Sequence, residues 1–134
     1  MKYVLDTNII IYAIKGQYPE LPNHFAKVPS QSIVIPAIVM AEIEYGARKS
    51  YDYEKTISKY LQFTNVFKKL PFTEKATASY GQIRSSLEKQ GIPIGPNDLM
   101  IAATVMAEDA ILVTHNISEF SRIESLKIED WTQG

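Results

Sequence analysis

Residues 2–11 read KYVLDTNIII: a short apolar run, then Asp6, Thr7 and Asn8, then a second apolar run. An unpaired carboxylate held between two greasy segments is expensive to bury, so Asp6 needs a compensating partner. The first run is too short for anything but a strand, over residues 2–5, and the second has the spacing of a helix over 7–14. Asp6 therefore falls at the carboxyl end of a strand, at the step into a helix.

The same alternation runs through the chain. SIVI at 32–35 reads as a strand, followed by helical patterns over 37–49 and 52–64. VFKKL at 66–70 reads as a third strand, and a long helix over 73–90 is stopped by Gly91. A helix from about Asp98 to Glu108 precedes the apolar strand AILVT at 110–114, a short turn or helix at 117–121 and a last strand near 126–128. Residues 16–32, with Gly16, Pro19, Pro22 and Pro29, read as a loop. Strands separated by helices predict an α/β fold with a mostly parallel sheet covered on both faces, and ligands bind such sheets beyond the carboxyl ends of the strands.

The chain has 134 residues, 46% of them hydrophobic and 22% charged, which suits one globular domain over 1–134. No apolar run approaches the roughly 18 residues of a membrane span, and Asp6 and Asn8 interrupt the N-terminal one, so a cytoplasmic protein is expected. With no cysteine there is no disulfide, thiolate metal site or cysteine nucleophile. The histidines are His24 and His115 alone, so a bound metal would be held by oxygen or imidazole.

The net charge of −1 conceals an uneven distribution. Residues 46–97 carry nine basic and four acidic side chains, whereas residues 98–134 carry two basic and seven acidic ones. A basic middle beside an acidic remainder fits a phosphate-binding surface with a separate carboxylate site, and equally a solvated, lysine-rich helix face.

Four acids stand out by position. Asp6 follows the first strand, Asp98 opens a helix, and Glu119 lies just past the strand ending at Thr114. Glu42 shares a helix face with Ile38, Val39 and Tyr45, whereas Glu44 has Arg48 four residues on and reads as a surface ion pair. Each acid also has a plain structural explanation: Asp6 and Asp98 suit helix N-caps, and Glu119 suits a pair with Arg122. Tyr45, Phe72, Tyr80 and Phe120 read as core. Should Asp6, Glu42, Asp98 and Glu119 meet, their repulsion demands a cation, and a hard divalent ion such as Mg²⁺ or Mn²⁺ suits a site made of oxygen donors. Such an ion serves phosphodiester hydrolysis without a protein nucleophile. A phosphoacceptor receiver would want a phosphorylatable Asp after a central strand, which VFKKLPF lacks, and a dehalogenase-like phosphatase a second Asp where Asn8 stands. A non-catalytic RNA- or protein-binding adaptor, its acids serving as caps and surface pairs, is the alternative.

VLDTN at 4–8, MAEIEYGARKS at 40–50, GQIRSSLEKQGIPIGPNDLMIAA at 81–103 and ILVTHNISEFSRIESLKIEDW at 111–131 together resemble the PIN-domain ribonucleases, specifically the VapC-type toxins of toxin–antitoxin pairs. The resemblance covers nearly the whole chain in the family's order. It implies a three-layer α/β/α sandwich and a Mg²⁺- or Mn²⁺-dependent endoribonuclease that is inhibited by a cognate antitoxin and paired as a homodimer. Asp6, Glu42 and Asp98 match the family's first three acids, Asp6 and Asp98 as metal ligands. Asn116 stands where many members have a fourth acid, and Glu119 matches the acid of their Asn-x-x-Glu-Phe stretch. Thr7, Thr114 and Asn116 match polar positions beside the metal. The implied substrate is structured RNA, transfer or ribosomal, with Arg48, Lys49 and Arg84 among the candidate phosphate contacts.

Overall fold

The apolar run at the N-terminus becomes β1 (Tyr3–Leu5), the middle strand of a five-stranded sheet. The computed structural model describes all residues, 1–134. The other strands are β2 (Ile33–Pro36), β3 (Lys68–Leu70), β4 (Ile111–Val113) and β5 (Ile128–Glu129). Their spatial order is β3-β2-β1-β4-β5, and every neighbouring pair is parallel. Val4 aligns with Val34 on one side and with Leu112 on the other. Val4, Leu5, Val34, Ile35, Leu112 and Val113 are all essentially inaccessible, as expected of strands covered on both faces.

Seven helices join the strands: α1 (Thr7–Lys15), α2 (Glu20–Lys27), α3 (Ala37–Lys49), α4 (Tyr53–Thr64), α5 (Glu74–Lys89), α6 (Pro96–Ala107) and α7 (Ile117–Phe120). From β1 the chain steps outward to β2 and β3, then crosses back over β1 to β4 and β5. Because parallel crossovers are right-handed, that reversal puts the helices of the two halves on opposite faces. The helix contacts follow this division, with α1, α3 and α4 packed together and α5 packed along α6, while α3 and α6 also meet each other. The reversal falls between β1 and β4, the crevice where ligands bind in such sheets.

Two sequence expectations need correction. The stretch 16–32 is not all loop, for α2 occupies its middle. Pro22 lies in the first turn of α2, where a missing N–H removes no intrahelical bond, and Leu21 and Phe25 turn inward on one face. Tyr45 and Phe72 are exposed rather than core, at 65% and 38%, whereas Phe120 is fully buried and Tyr80 packs against the core edge. Gly91 ends α5 as expected: its φ of 73° lets the Ile92 N–H turn back to the Leu87 carbonyl at 3.0 Å.

A further element holds α2 in place. Trp131, 1% exposed, stacks on His24 with ring centroids 5.7 Å apart, meets Phe25 edge-on at 5.2 Å and packs on Tyr3 at 5.4 Å. Its indole N–H donates to Glu129 Oε1 at 2.9 Å. The C-terminal segment thereby clamps α2 to the central strand. Trp131→Ala should lower unfolding stability by about 3–5 kcal/mol, the usual cost of deleting a large buried aromatic, as measured by urea denaturation.

Candidate functional site

Asp6 is placed by two constraints at once. Its backbone N–H extends the β1–β4 ladder to the Val113 carbonyl at 3.2 Å, and its side chain caps α1 by accepting the Ile9 N–H at 2.9 Å. The other carboxylate oxygen accepts from the hydroxyl of Thr114, the fully buried residue that follows β4. Asp6 thus sits at the β1–β4 crevice with only 5% of its surface exposed. Burial pushes its carboxyl up to about 6; the Thr114 and Ile9 hydrogen bonds oppose this, while the charges of Glu42 and Asp130 reinforce it.

The remaining acids reach the crevice from other elements. Asp6, Glu42 and Asp98 line one pocket together with Thr7, Asn8 and Asn116, and Ile101 and Phe120 form its apolar walls. Glu42, half-buried on α3, accepts from the Thr7 hydroxyl through Oε1 and from the Asn97 amide through Oε2 at 3.2 Å. Asp98 lies in the first turn of α6, whose N-cap is Gly95, so the expectation that Asp98 itself caps this helix fails. Pro96 at the first helical position starts the helix three residues earlier than an Asp98 cap would have done. The Asp98 carboxyl is also raised to about 6, first by burial, then by the charge of Glu119 and a side-chain hydrogen bond with it, and further by the charges of Glu42 and Asp6.

Glu119, on α7, is not among the residues that line the pocket; it lies against Asp98 and accepts from the Asn116 amide at 3.2 Å. The expected Glu119–Arg122 pair does not form, because Arg122 turns away to donate to the Pro93 carbonyl at 2.8 Å. Asn116 is fixed in turn by its own N–H, which donates to Thr114 Oγ1 at 3.0 Å. Asn97, which holds Glu42, carries little signal in the sequence. Its only signal there is adjacency to Asp98 in a proline-bounded helix start.

The expected basic contacts lie elsewhere. Arg48 pairs with Glu44 at 3.0 Å and lies over the Tyr53 ring, whose hydroxyl also donates to Glu44. Lys49 sits over Tyr45. Arg84 pairs with Glu88 at 3.0 Å on the surface and donates to the Tyr80 hydroxyl. None of the three lines the acid pocket.

Five carboxylates of this chain have a cationic or histidine partner: Glu44, Glu88, Glu108, Asp109 and Asp130. Asp6, Glu42, Asp98 and Glu119 have none. Only neutral hydroxyls, amides and a backbone N–H are seen to donate to Asp6, Glu42 and Glu119, which leaves the negative charge of the pocket uncompensated. No three Asp, Glu or His side chains stand close enough to cage an ion by themselves. The donor chemistry nevertheless fits a hard divalent cation, since Mg²⁺ takes one or two carboxylates and keeps several waters rather than filling an all-protein cage.

The chain matches the PIN domain family model over residues 3–126 and belongs to the PIN-domain family. Within that family it groups with the VapC ribonucleases. It is 42% identical to the ribonuclease VapC2 of Rickettsia felis over 132 residues, covering 98% of each chain. It is 34% identical to the tRNA(fMet)-specific endonuclease VapC of Salmonella typhimurium, again covering 98% of each. Among solved structures it resembles VapBC-1 of nontypeable Haemophilus influenzae at a TM-score of 0.91 and 39% identity, covering 99% of this chain and 100% of that one.

The raised carboxyls make the metal-free protein sensitive to pH in a defined direction. Asp6 holds its proton more tightly folded than unfolded, so its stabilising contribution is full below about 3.8 and is lost as the pH rises through about 6. Relative to wild type, Asp6→Asn should therefore gain stability between pH 4 and pH 7, by at most ~3 kcal/mol. Saturating Mn²⁺ at pH 7 should raise the melting temperature of wild type and leave Asp6→Asn unchanged. Calorimetry with and without EDTA measures both.

Proposed function

We propose that this chain is a divalent-metal-dependent endoribonuclease that hydrolyses phosphodiester bonds of structured RNA, leaving 5′-phosphate and 3′-hydroxyl ends, and that a cognate antitoxin neutralises it. The observation that carries the proposal is the pocket at the sheet's switch point. Three acids from three different elements open on it, with no basic side chain among its lining residues. Simple scaffolding does not account for that. Asp6 does cap a helix, but Asp98 does not, and burying both so that each holds its proton to about pH 6 costs stability.

Asp6 and Asp98 are the residues that would hold the ion, with Glu119 reinforcing the negative field around Asp98. When bound, a divalent ion neutralises this field and polarises a phosphodiester. Glu42 is positioned by Thr7 and Asn97 from opposite sides, which fixes its carboxylate to orient the attacking water and accept its proton. Water oxygen forms the new bond to phosphorus, the bond to the ribose 3′-oxygen breaks, and that oxygen takes a proton from solvent. The walls of Ile101 and Phe120 limit water to the polar side of the pocket.

The substrate class follows the relative described as tRNA(fMet)-specific, so transfer RNA is the first choice and ribosomal RNA the second. Single-stranded loops suit this site, because their bases can splay away from the backbone. Arg48, Lys49 and Arg84 are the proposed phosphate contacts. For Arg48 and Arg84 that means exchanging an exposed carboxylate for a phosphate, a small cost for surface pairs. The antitoxin partner and the homodimer rest on kinship with VapBC complexes and on the family resemblance.

Purified protein incubated with bulk transfer RNA and Mg²⁺ should generate discrete 5′-phosphorylated fragments, abolished by EDTA. Asp6→Asn and Glu42→Gln should each lose activity by roughly 100-fold or more, the scale of removing a preorganised electrostatic contributor. Cleavage by Asp6→Asn at the wild-type rate would overturn the proposal.

A further inference from the structure

Beside the acid pocket lies a second one, lined by Asn8, Tyr12, His115 and Asn116. Asn8 and Asn116 line both, so the two pockets form one continuous surface. Nothing in the hydrolytic chemistry uses Tyr12 or His115, yet the second pocket is held with care. His115 Nδ1 lies 2.9 Å from Asp130 Oδ2 and 2.9 Å from the Thr132 hydroxyl. Asp130 is itself fixed by the Thr132 N–H at 2.9 Å and by the Thr132 hydroxyl at 2.6 Å. These residues flank the buried Trp131, so the anchor of the imidazole is tied to the core, and it lies beyond residue 126, where the PIN match ends.

The front of the imidazole is aromatic. Tyr18 and His115 ring centroids are 5.3 Å apart, Tyr12 and Tyr18 are 5.0 Å apart, and Tyr12 closes the triangle at 6.1 Å from His115. All three rings are partly exposed. A rigid, partly open aromatic group with amide side chains along its edge has the chemistry of a nucleobase platform: a ring face to stack on and amide donors and acceptors to read a base edge. Asn116 gives its Nδ2 to Glu119, which leaves its carbonyl oxygen as an acceptor, and the Asn8 side chain is exposed.

We propose that Tyr12, Tyr18 and His115, with Asn8 and Asn116, form a subsite for an unstacked RNA base adjoining the scissile phosphate, and that this subsite sets where the chain is cut. This rests on the ribonuclease reading for its consequence, but the base site itself is a statement about binding. His115 is a positioning and specificity residue. It does not enter the bond-breaking step.

Two measurements test it separately. In the first, each of the four nucleoside 5′-monophosphates is titrated into wild-type protein while the His115 and tyrosine ring resonances are followed by NMR. At least one nucleotide should shift the His115 and Tyr18 signals saturably; Tyr18→Ala should abolish the response and Tyr18→Phe, which keeps the ring, should restore it. In the second, a short RNA with one cleavage site is compared with the same RNA made abasic beside that site. Wild type should lose about tenfold in KM on the abasic RNA with little change in kcat, and Tyr18→Ala should show that loss on the intact RNA and no further loss on the abasic one. No ring shift with any nucleotide, or independent penalties from variant and abasic site, overturns the subsite. Ring shifts in a protein that leaves RNA uncut would instead overturn the ribonuclease reading and leave the base site standing.

Discussion

The structure turns on the burial of one carboxylate. Asp6 stands where β1 stops and α1 begins, at the reversal of the sheet, nearly sealed from water and without a cation. A charge in that position is tolerable only because the Ile9 N–H and the Thr114 hydroxyl reach its two oxygens, and even so its proton is held to about pH 6. The Thr114 contact also carries topological information. It ties the end of β4 to the end of β1 across 108 residues of sequence, so the crevice cannot open without breaking a buried hydrogen bond.

From that point the other acids are assembled through neutral donors. Thr7 on α1 donates to Glu42 on α3, Asn97 on α6 donates to the same carboxylate, and Asn116 donates to Glu119 at the start of α7. The first two contacts join α1, α3 and α6 around the pocket and the third stays within the first turn of α7; all three orient carboxylates without cancelling their charge. None of these donors is a lysine or arginine, so the carboxylates are held in place without a charged partner. The absence of cations from the pocket lining is therefore the feature that separates this pocket from an ordinary polar crevice.

Much of this was legible in sequence because the relevant signals are local. The strand before Asp6, the helix opening near Asp98 and the apolar face that carries Glu42 are each set by a few consecutive residues, and the alternation of strands and helices implies the parallel sheet. What escaped were features decided by distant contacts. The helix at 20–27 is hidden by its flanking prolines, and its stability comes from Trp131, more than a hundred residues on. Tyr45 and Phe72 have core-like spacing, but Tyr45 is left at the surface and Phe72 is only partly covered, by Tyr80. Asn97 reads as a loop residue until α3 brings Glu42 to it. The Glu119–Arg122 spacing was correct for a pair, yet Arg122 found the Pro93 carbonyl, which sequence distance could not foretell.

Charge counting shows a related limit. The surplus of cations over residues 46–97 looks like a phosphate-binding surface, but several of those cations already have structural work. Arg48 and Arg84 are paired with carboxylates, and Lys69 donates to the Thr64 and Phe67 carbonyls at the end of α4. What remains is a diffuse positive field rather than a prebuilt clamp, and a diffuse field attracts any polyanion without choosing among sequences. Selectivity then has to come from contacts close to the scissile bond. In this molecule the pocket adjoining the carboxylates offers Asn8, Tyr12, His115 and Asn116, with His115 held from behind by the segment that Trp131 anchors.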